Sequence, residues 1–111
     1  MNLKNRLKKN KEFKEVIDCK DLIKLKSCNI FFKKTAESYK FGLSVSKKIG
    51  NAVIRNLTKR RIRATLREID DKNFTRSFNL VIIAKSSIVE MTYSDIKNEI
   101  SRALLSRFLG D

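Results

Sequence analysis

Hydrophobic and polar positions along the chain divide it into seven elements. Phe13, Val16 and Ile17 stand at i, i+3 and i+4 behind Asn10, which predicts an amphipathic first helix capped by Asn10. Residues 22–25 and 29–34 are two short runs of strand character. Over 39–46 the pattern alternates, with Phe41, Leu43 and Val45 on one face. Gly42 inside that run predicts a bulge or a close backbone approach. Gly50-Asn51 ends the strand, and Asn51 is placed to cap a second helix reaching about Ile69. Residues 78–84 are rich in β-branched side chains and bounded by polar ones, the signature of a buried strand. Thr92-Tyr93-Ser94-Asp95 has the form of a capping box with Asp in place of Glu, and it opens a last helix. Ile96, Ile100, Ala103, Leu104 and Phe108 share one face of it. The order α-β-β-β-α-β-α predicts an α+β fold, a two-layer α-β sandwich on a mixed sheet. The strand–helix–strand unit supplies its parallel pair. With no Pro, repeat or linker-like stretch, residues 1–111 read as one domain.

The central helix has two faces of different chemistry. On a wheel of about 100° per residue, Ile54, Thr58, Ile62, Thr65, Leu66 and Ile69 occupy a sector of roughly 120°. Arg55, Asn56, Lys59, Arg60, Arg63 and Arg67 fill the adjoining sector of roughly 140°. The pairs Arg55/Lys59, Lys59/Arg63 and Arg63/Arg67 repel at i, i+4, each costing a few tenths of a kcal/mol. A purely structural helix would place Glu among them. Lys47 and Lys48 lie just before its N-terminus, where unpaired N–H groups favour an anion.

Charge extends this picture to the whole chain. There are 26 Lys+Arg against 12 Asp+Glu in 111 residues, a net charge of +14, and no His. Between Glu37 and Glu68 there is no acid at all. Such a field opposes compaction by self-repulsion, and an external polyanion relieves it. Nucleic acid is the natural partner, because each neutralised phosphate releases counterions. A membrane surface fits less well, since membrane-bound helices show a broad, bulky apolar face. No apolar run approaches the ~20 residues of a membrane span. The basic residues Lys4, Arg6, Lys8, Lys9 and Lys11 are not followed by the apolar stretch of a secretory signal. Cys19 and Cys28 match neither a zinc knuckle nor a CxxC pair, and are expected to be reduced thiols of a cytoplasmic protein.

The stretch Lys47-Lys48-Ile49-Gly50-Asn51-Ala52-Val53-Ile54-Arg55-Asn56, followed by Lys59-Arg60 and Arg63, resembles the signature of the bacterial ribonuclease P protein subunit. Gly42-Leu43-Ser44-Val45-Ser46 ahead of it, and Asn5-Arg6-Leu7-Lys8-Lys9 ahead of Phe13, are similar to that family as well. The resemblance implies a left-handed strand–helix–strand crossover, against the general right-handed rule. It implies a cytoplasmic ribonucleoprotein endonuclease that removes the 5′ leader of precursor tRNA. Its catalytic RNA performs the hydrolysis with bound Mg²⁺, and the protein itself holds no metal. Carried over residue by residue, the RNA-binding set is Lys47, Lys48, Asn51, Arg55, Asn56, Lys59, Arg60, Arg63 and Arg67. The implied leader cleft, between the first helix and the sheet, holds Phe13, Ile17, Phe31, Lys33 and Lys85. This chain departs from the family pattern at Leu57, where Arg is usual. It departs also at Ile17 and Lys33, where aromatic residues are common, so base stacking on the leader is reduced.

Chemistry by the polypeptide alone is disfavoured. Metal-assisted phosphodiester hydrolysis needs clustered carboxylates. The adjacent pair Asp70-Asp71 stands at a helix end, where neighbours do not face each other. A ribosomal-type or general RNA-binding protein without a part in cleavage is the alternative that charge and fold also permit. Duplex DNA binding would call for a helix-turn-helix pattern around 52–69, which is missing. At this charge the free protein is expected to be monomeric.

Overall fold

The computed structural model describes residues 10–34, 40–73 and 78–109. Residues 5–9, Tyr39 and the side chains of Ile69, Asp70, Asp71 and Phe108, all used above, lie outside what it describes. The elements are α1 (Asn10–Asp18), β1 (Asp21–Lys24), β2 (Cys28–Lys34), β3 (Lys40–Ser44), α2 (Ala52–Asn73), β4 (Phe78–Ala84), a 3-10 turn (Ser86–Glu90) and α3 (Tyr93–Leu109). One mixed sheet runs in the order β1-β2-β4-β3. The pairs β1/β2 and β2/β4 are antiparallel, while β3 and β4 are parallel and joined through α2. No helix among the described residues is long and apolar enough to cross a membrane.

Alternation along the strands sorts side chains onto two faces. Cys28, Ile30 and Phe32 of β2 and Leu80, Ile82 and Ala84 of β4 point to one of them. There they join Ile62 and Leu66 of α2 and Ile96, Ile100 and Leu104 of α3 in the main core. The sheet and the α2–α3 pair are thus the two layers of the sandwich. Phe31, Val81 and Ile83 point the other way and meet Phe13, Val16 and Ile17 of the short α1. Cover on both sides explains why 78–84 reads as a continuous apolar run rather than an alternating one. Within the main core, the Phe32 and Phe78 rings meet edge to face, with centroids 6.2 Å apart at 82°.

The caps follow the expected chemistry at two helices. Asn51 Oδ1 accepts from the Ile54 N–H at 3.0 Å, and Thr92 Oγ1 accepts from the Asp95 N–H at 3.1 Å. At the first helix, α1 already includes Asn10 instead of starting after it. Lys20, with φ 57°, occupies the left-handed conformation behind the end of α1. Two boundaries move: β3 ends at Ser44, although Val45 still packs on the core, and α2 continues past Ile69 to Asn73. The 3-10 turn has no counterpart in the sequence reading, because five residues are too few to show a period. It nonetheless buries Ile88 and leads to buried Met91.

The β1–β2 turn is fastened to α3 by one carboxylate. Glu99 Oε1 accepts from the Ser27 N–H at 2.9 Å and from its hydroxyl at 3.1 Å, which satisfies a fully buried polar residue. Next to it, burial pushes the Cys28 thiol up from 9.0 to about 11, more than the Ser27 hydroxyl at 3.5 Å lowers it. A raised folded-state pKa keeps the proton on the native thiol after the unfolded chain has lost it. Its contribution is therefore complete below pH 9 and lost as pH rises towards 11. Wild type should lose up to about 2–3 kcal/mol more stability than Cys28→Ala over that window in urea unfolding. Equal losses in both would mean that the thiol ionises freely in the native state.

Candidate nucleic-acid interface

Helix α2 carries its cations where its packing leaves them. It docks mainly on α3 and the 3-10 turn through Thr58, Ile62, Thr65 and Leu66, all buried. The two threonines satisfy themselves on the helix backbone: Thr58 Oγ1 donates to the Ile54 carbonyl at 2.9 Å, and Thr65 Oγ1 to that of Arg61 at 3.0 Å. Ile54, expected in the docking face, stands 38% exposed, because the first turn of the helix reaches only the rim of its packing partners. On the other side, Asn56, Arg60 and Arg67 are exposed, and Arg55, Lys59 and Arg63 are half-buried along the flank of the helix. The Arg55 Nε is buried with no hydrogen-bond partner among the described residues.

Lys47 and Lys48 stand exposed in the turn that leads into α2, closed by the Ile49 N–H on the Ser46 carbonyl at 3.1 Å. Gly50 follows with φ 157°, and a Cβ there would press on Ile54 at 3.0 Å. Asn51 is exposed, but its side-chain oxygen is engaged in the cap, which leaves its amide NH₂ as the group to offer a ligand. Glu68, at the far end of the stripe, turns to Lys97 of α3 at 2.8 Å and holds that ammonium protonated above its ordinary range.

The second set of expected site residues gathers under α1. Phe13, Ile17 and Phe31 lie in one cluster with Val16, Val81 and Ile83. Lys33 reaches its edge and is joined to Glu15 of α1 at 3.4 Å. Lys85, just past the end of β4, donates its ammonium to the Leu25 carbonyl at 2.5 Å in the β1–β2 turn. Sequence reasoning missed Val81, Ile83 and Glu15, since the facing of β4 and the seat of α1 are tertiary facts.

Gly42 does mark a close approach, and its partner is the Phe13 ring. A Cβ built at Gly42 would lie 2.5 Å from both Cε1 and Cζ of Phe13. Gly42→Ala should therefore displace the ring and destabilise the chain by about 1–3 kcal/mol. Because Phe13→Ala removes the obstruction, the double variant should cost clearly less than the two single changes summed. Additive losses in urea unfolding would show that the ring does not sit on Gly42.

No three His, Cys, Asp or Glu come together as a metal-holding group among the described residues. What the surface offers instead is an ordered row of cations and, on the opposite face of the sheet, a partly buried apolar cluster under α1. A family model described as Ribonuclease P matches residues 1–108. The chain belongs to the ribonuclease P family. Within it, the ribonuclease P protein component of Mycoplasma capricolum is 43% identical over 97 residues, covering 86% of this chain and 89% of that protein. The component from Bacillus mycoides is 41% identical over 103 residues, covering 90% and 88%. Among solved structures, the Staphylococcus aureus ribonuclease P protein superposes with a TM-score of 0.81 at 27% identity, over 90% of this chain and 92% of that one. The Thermotoga maritima ribonuclease P protein shares the fold, with a TM-score of 0.79 at 21% identity over 92% and 96%. The α-β-β-β-α-β-α order and mixed four-stranded sheet are the architecture of these proteins.

Proposed function

We propose that this member of the ribonuclease P family acts as the protein subunit of the ribonucleoprotein that matures the 5′ end of tRNA. The observation that carries the reading is the cationic stripe on the outward side of α2, in a chain that matches the family over residues 1–108. Lys47, Lys48, Asn51, Arg55, Asn56, Lys59, Arg60, Arg63 and Arg67 bind the catalytic RNA. The cleft under α1, with Phe13, Ile17, Phe31 and Lys33, takes the single-stranded leader of precursor tRNA, and Lys85 stands at the end of the neighbouring strand. Catalytic RNA and precursor are both polyanions, and a chain of net charge +14 offsets their repulsion. Contacts to the leader favour precursor over mature tRNA, which lacks that segment.

Hydrolysis belongs to the RNA in this reading, with Mg²⁺ held by RNA ligands. The polypeptide positions and neutralises. The place of action is the bacterial cytoplasm, where precursor tRNA and catalytic RNA meet. The test is cleavage of precursor by the catalytic RNA at low Mg²⁺, with and without the protein. Strong stimulation is expected, together with leader-dependent competition between precursor and mature tRNA. A protein that binds the RNA without stimulating cleavage would be a general RNA-binding module instead. Cleavage by the chain alone, freed of nucleic acid, would overturn the division of labour.

A further inference from the structure

The large hydrophobic side chains that stand exposed among the described residues collect in one place. They are Val53 (76% exposed), Ile54 (38%) and Leu57 (39%) at the start of α2, and Val89 (47%) on the 3-10 turn. Ile54, Leu57 and Val89 rim an apolar pocket of about 160 Å³. Its lining includes buried Ile88 and Ile96, and Arg61 stands beside it. Singly exposed aliphatic residues are ordinary, but a contiguous apolar patch marks a contact. Four part-exposed side chains fall well short of the ~800 Å² per partner of a stable protein interface. A second copy would also bring another +14 against this one. The pocket is narrow and lies on the helix that carries the cationic stripe. Arg61 lines the pocket, and Arg60, at i+3 from Leu57, is the nearest exposed cation of the stripe.

We propose that this pocket receives one unstacked nucleobase of the RNA bound along α2, an inference that rests on the RNA-binding reading of that helix. Duplex RNA shows proteins mainly its shape, whereas bulged and looped bases can leave the stack and enter pockets between apolar side chains. Aliphatic walls would select a flat apolar face with little base preference, and Arg61 would hold the adjoining phosphate.

The test uses the full chain and the catalytic RNA of ribonuclease P, with affinity measured against salt. Leu57→Ser and Val89→Ser replace exposed side chains, and their melting curves should match wild type. Each should weaken binding by roughly tenfold, in line with loss of one base contact, and leave the salt slope unchanged. One base protected from chemical modification in the wild-type complex should become reactive in both variants. Arg60→Ala should lower the slope by about 1. Wild-type affinity in both serine variants overturns the pocket. So does a weakening accompanied by a lower slope, which would be an electrostatic effect. A wild-type dimer that the serine changes dissolve without altering RNA affinity would make the patch a protein contact and likewise overturn it. An unchanged slope in Arg60→Ala would instead count against the RNA-binding reading of α2.

Discussion

Replacing Arg55, Lys59 and Arg60 together by Gln should weaken binding to the catalytic RNA by about two orders of magnitude at physiological salt. Three charge-assisted phosphate contacts at about 1 kcal/mol each give that factor, since 1.4 kcal/mol is tenfold. The salt slope should fall by between two and three, because each contact accounts for nearly one released counterion. The protein itself should gain slightly. Arg55/Lys59 and Lys59/Arg63 repel at i, i+4, and relieving them should add a few tenths of a kcal/mol per pair. Opposite signs in the two measurements separate a binding surface from a structural one. If the triple variant bound RNA as wild type does, or if it unfolded, the stripe would not be the RNA-facing surface.

Phe32→Ala should be the most damaging single substitution in the sheet. Phe32 is fully buried on β2, faces the α2–α3 layer and meets Phe78 edge to face. Emptying such a site costs about 3–5 kcal/mol, a large part of the ~5–15 kcal/mol that holds a domain together. The midpoint of thermal unfolding should fall by roughly 15 °C or more, at about 4–8 °C per kcal/mol for a domain of this size. Catalytic RNA should raise it again by mass action, if only the native chain binds. Phe31→Ala, one residue earlier and half-buried under α1, should cost less stability and more leader binding. Unchanged leader binding in Phe31→Ala would count against the leader site proposed on the α1 face.

Much of this was legible because the signals are local. Caps at Asn51 and Thr92 need only a side chain and an N–H three residues on. The two sectors of α2 follow from its own period, and so does the row of cations. Even Gly42 pointed to a close approach, because a strand glycine has no packing reason of its own. Its partner could not be named, since Phe13 lies 29 residues away on another element. The 3-10 turn, the seat of α1 on Val81 and Ile83, and the pairing of Lys33 with Glu15 share that reason. Lys85, which the family resemblance placed near the leader site, donates its ammonium to the Leu25 carbonyl, a partner 60 residues away that no local pattern names.

By itself, the order of residues determined a cationic helix, the elements before and after it, and the family to which they belong. Each is written in spacings of a few residues or in a contiguous motif. Only the tertiary structure decided which flank of α2 meets α3, which face of the sheet α1 covers, and that Ile54, Leu57 and Val89 come to share one opening. Those outcomes depend on contacts between segments far apart in the chain, and hydrophobic burial, being non-directional, leaves no trace of its partner in the local pattern.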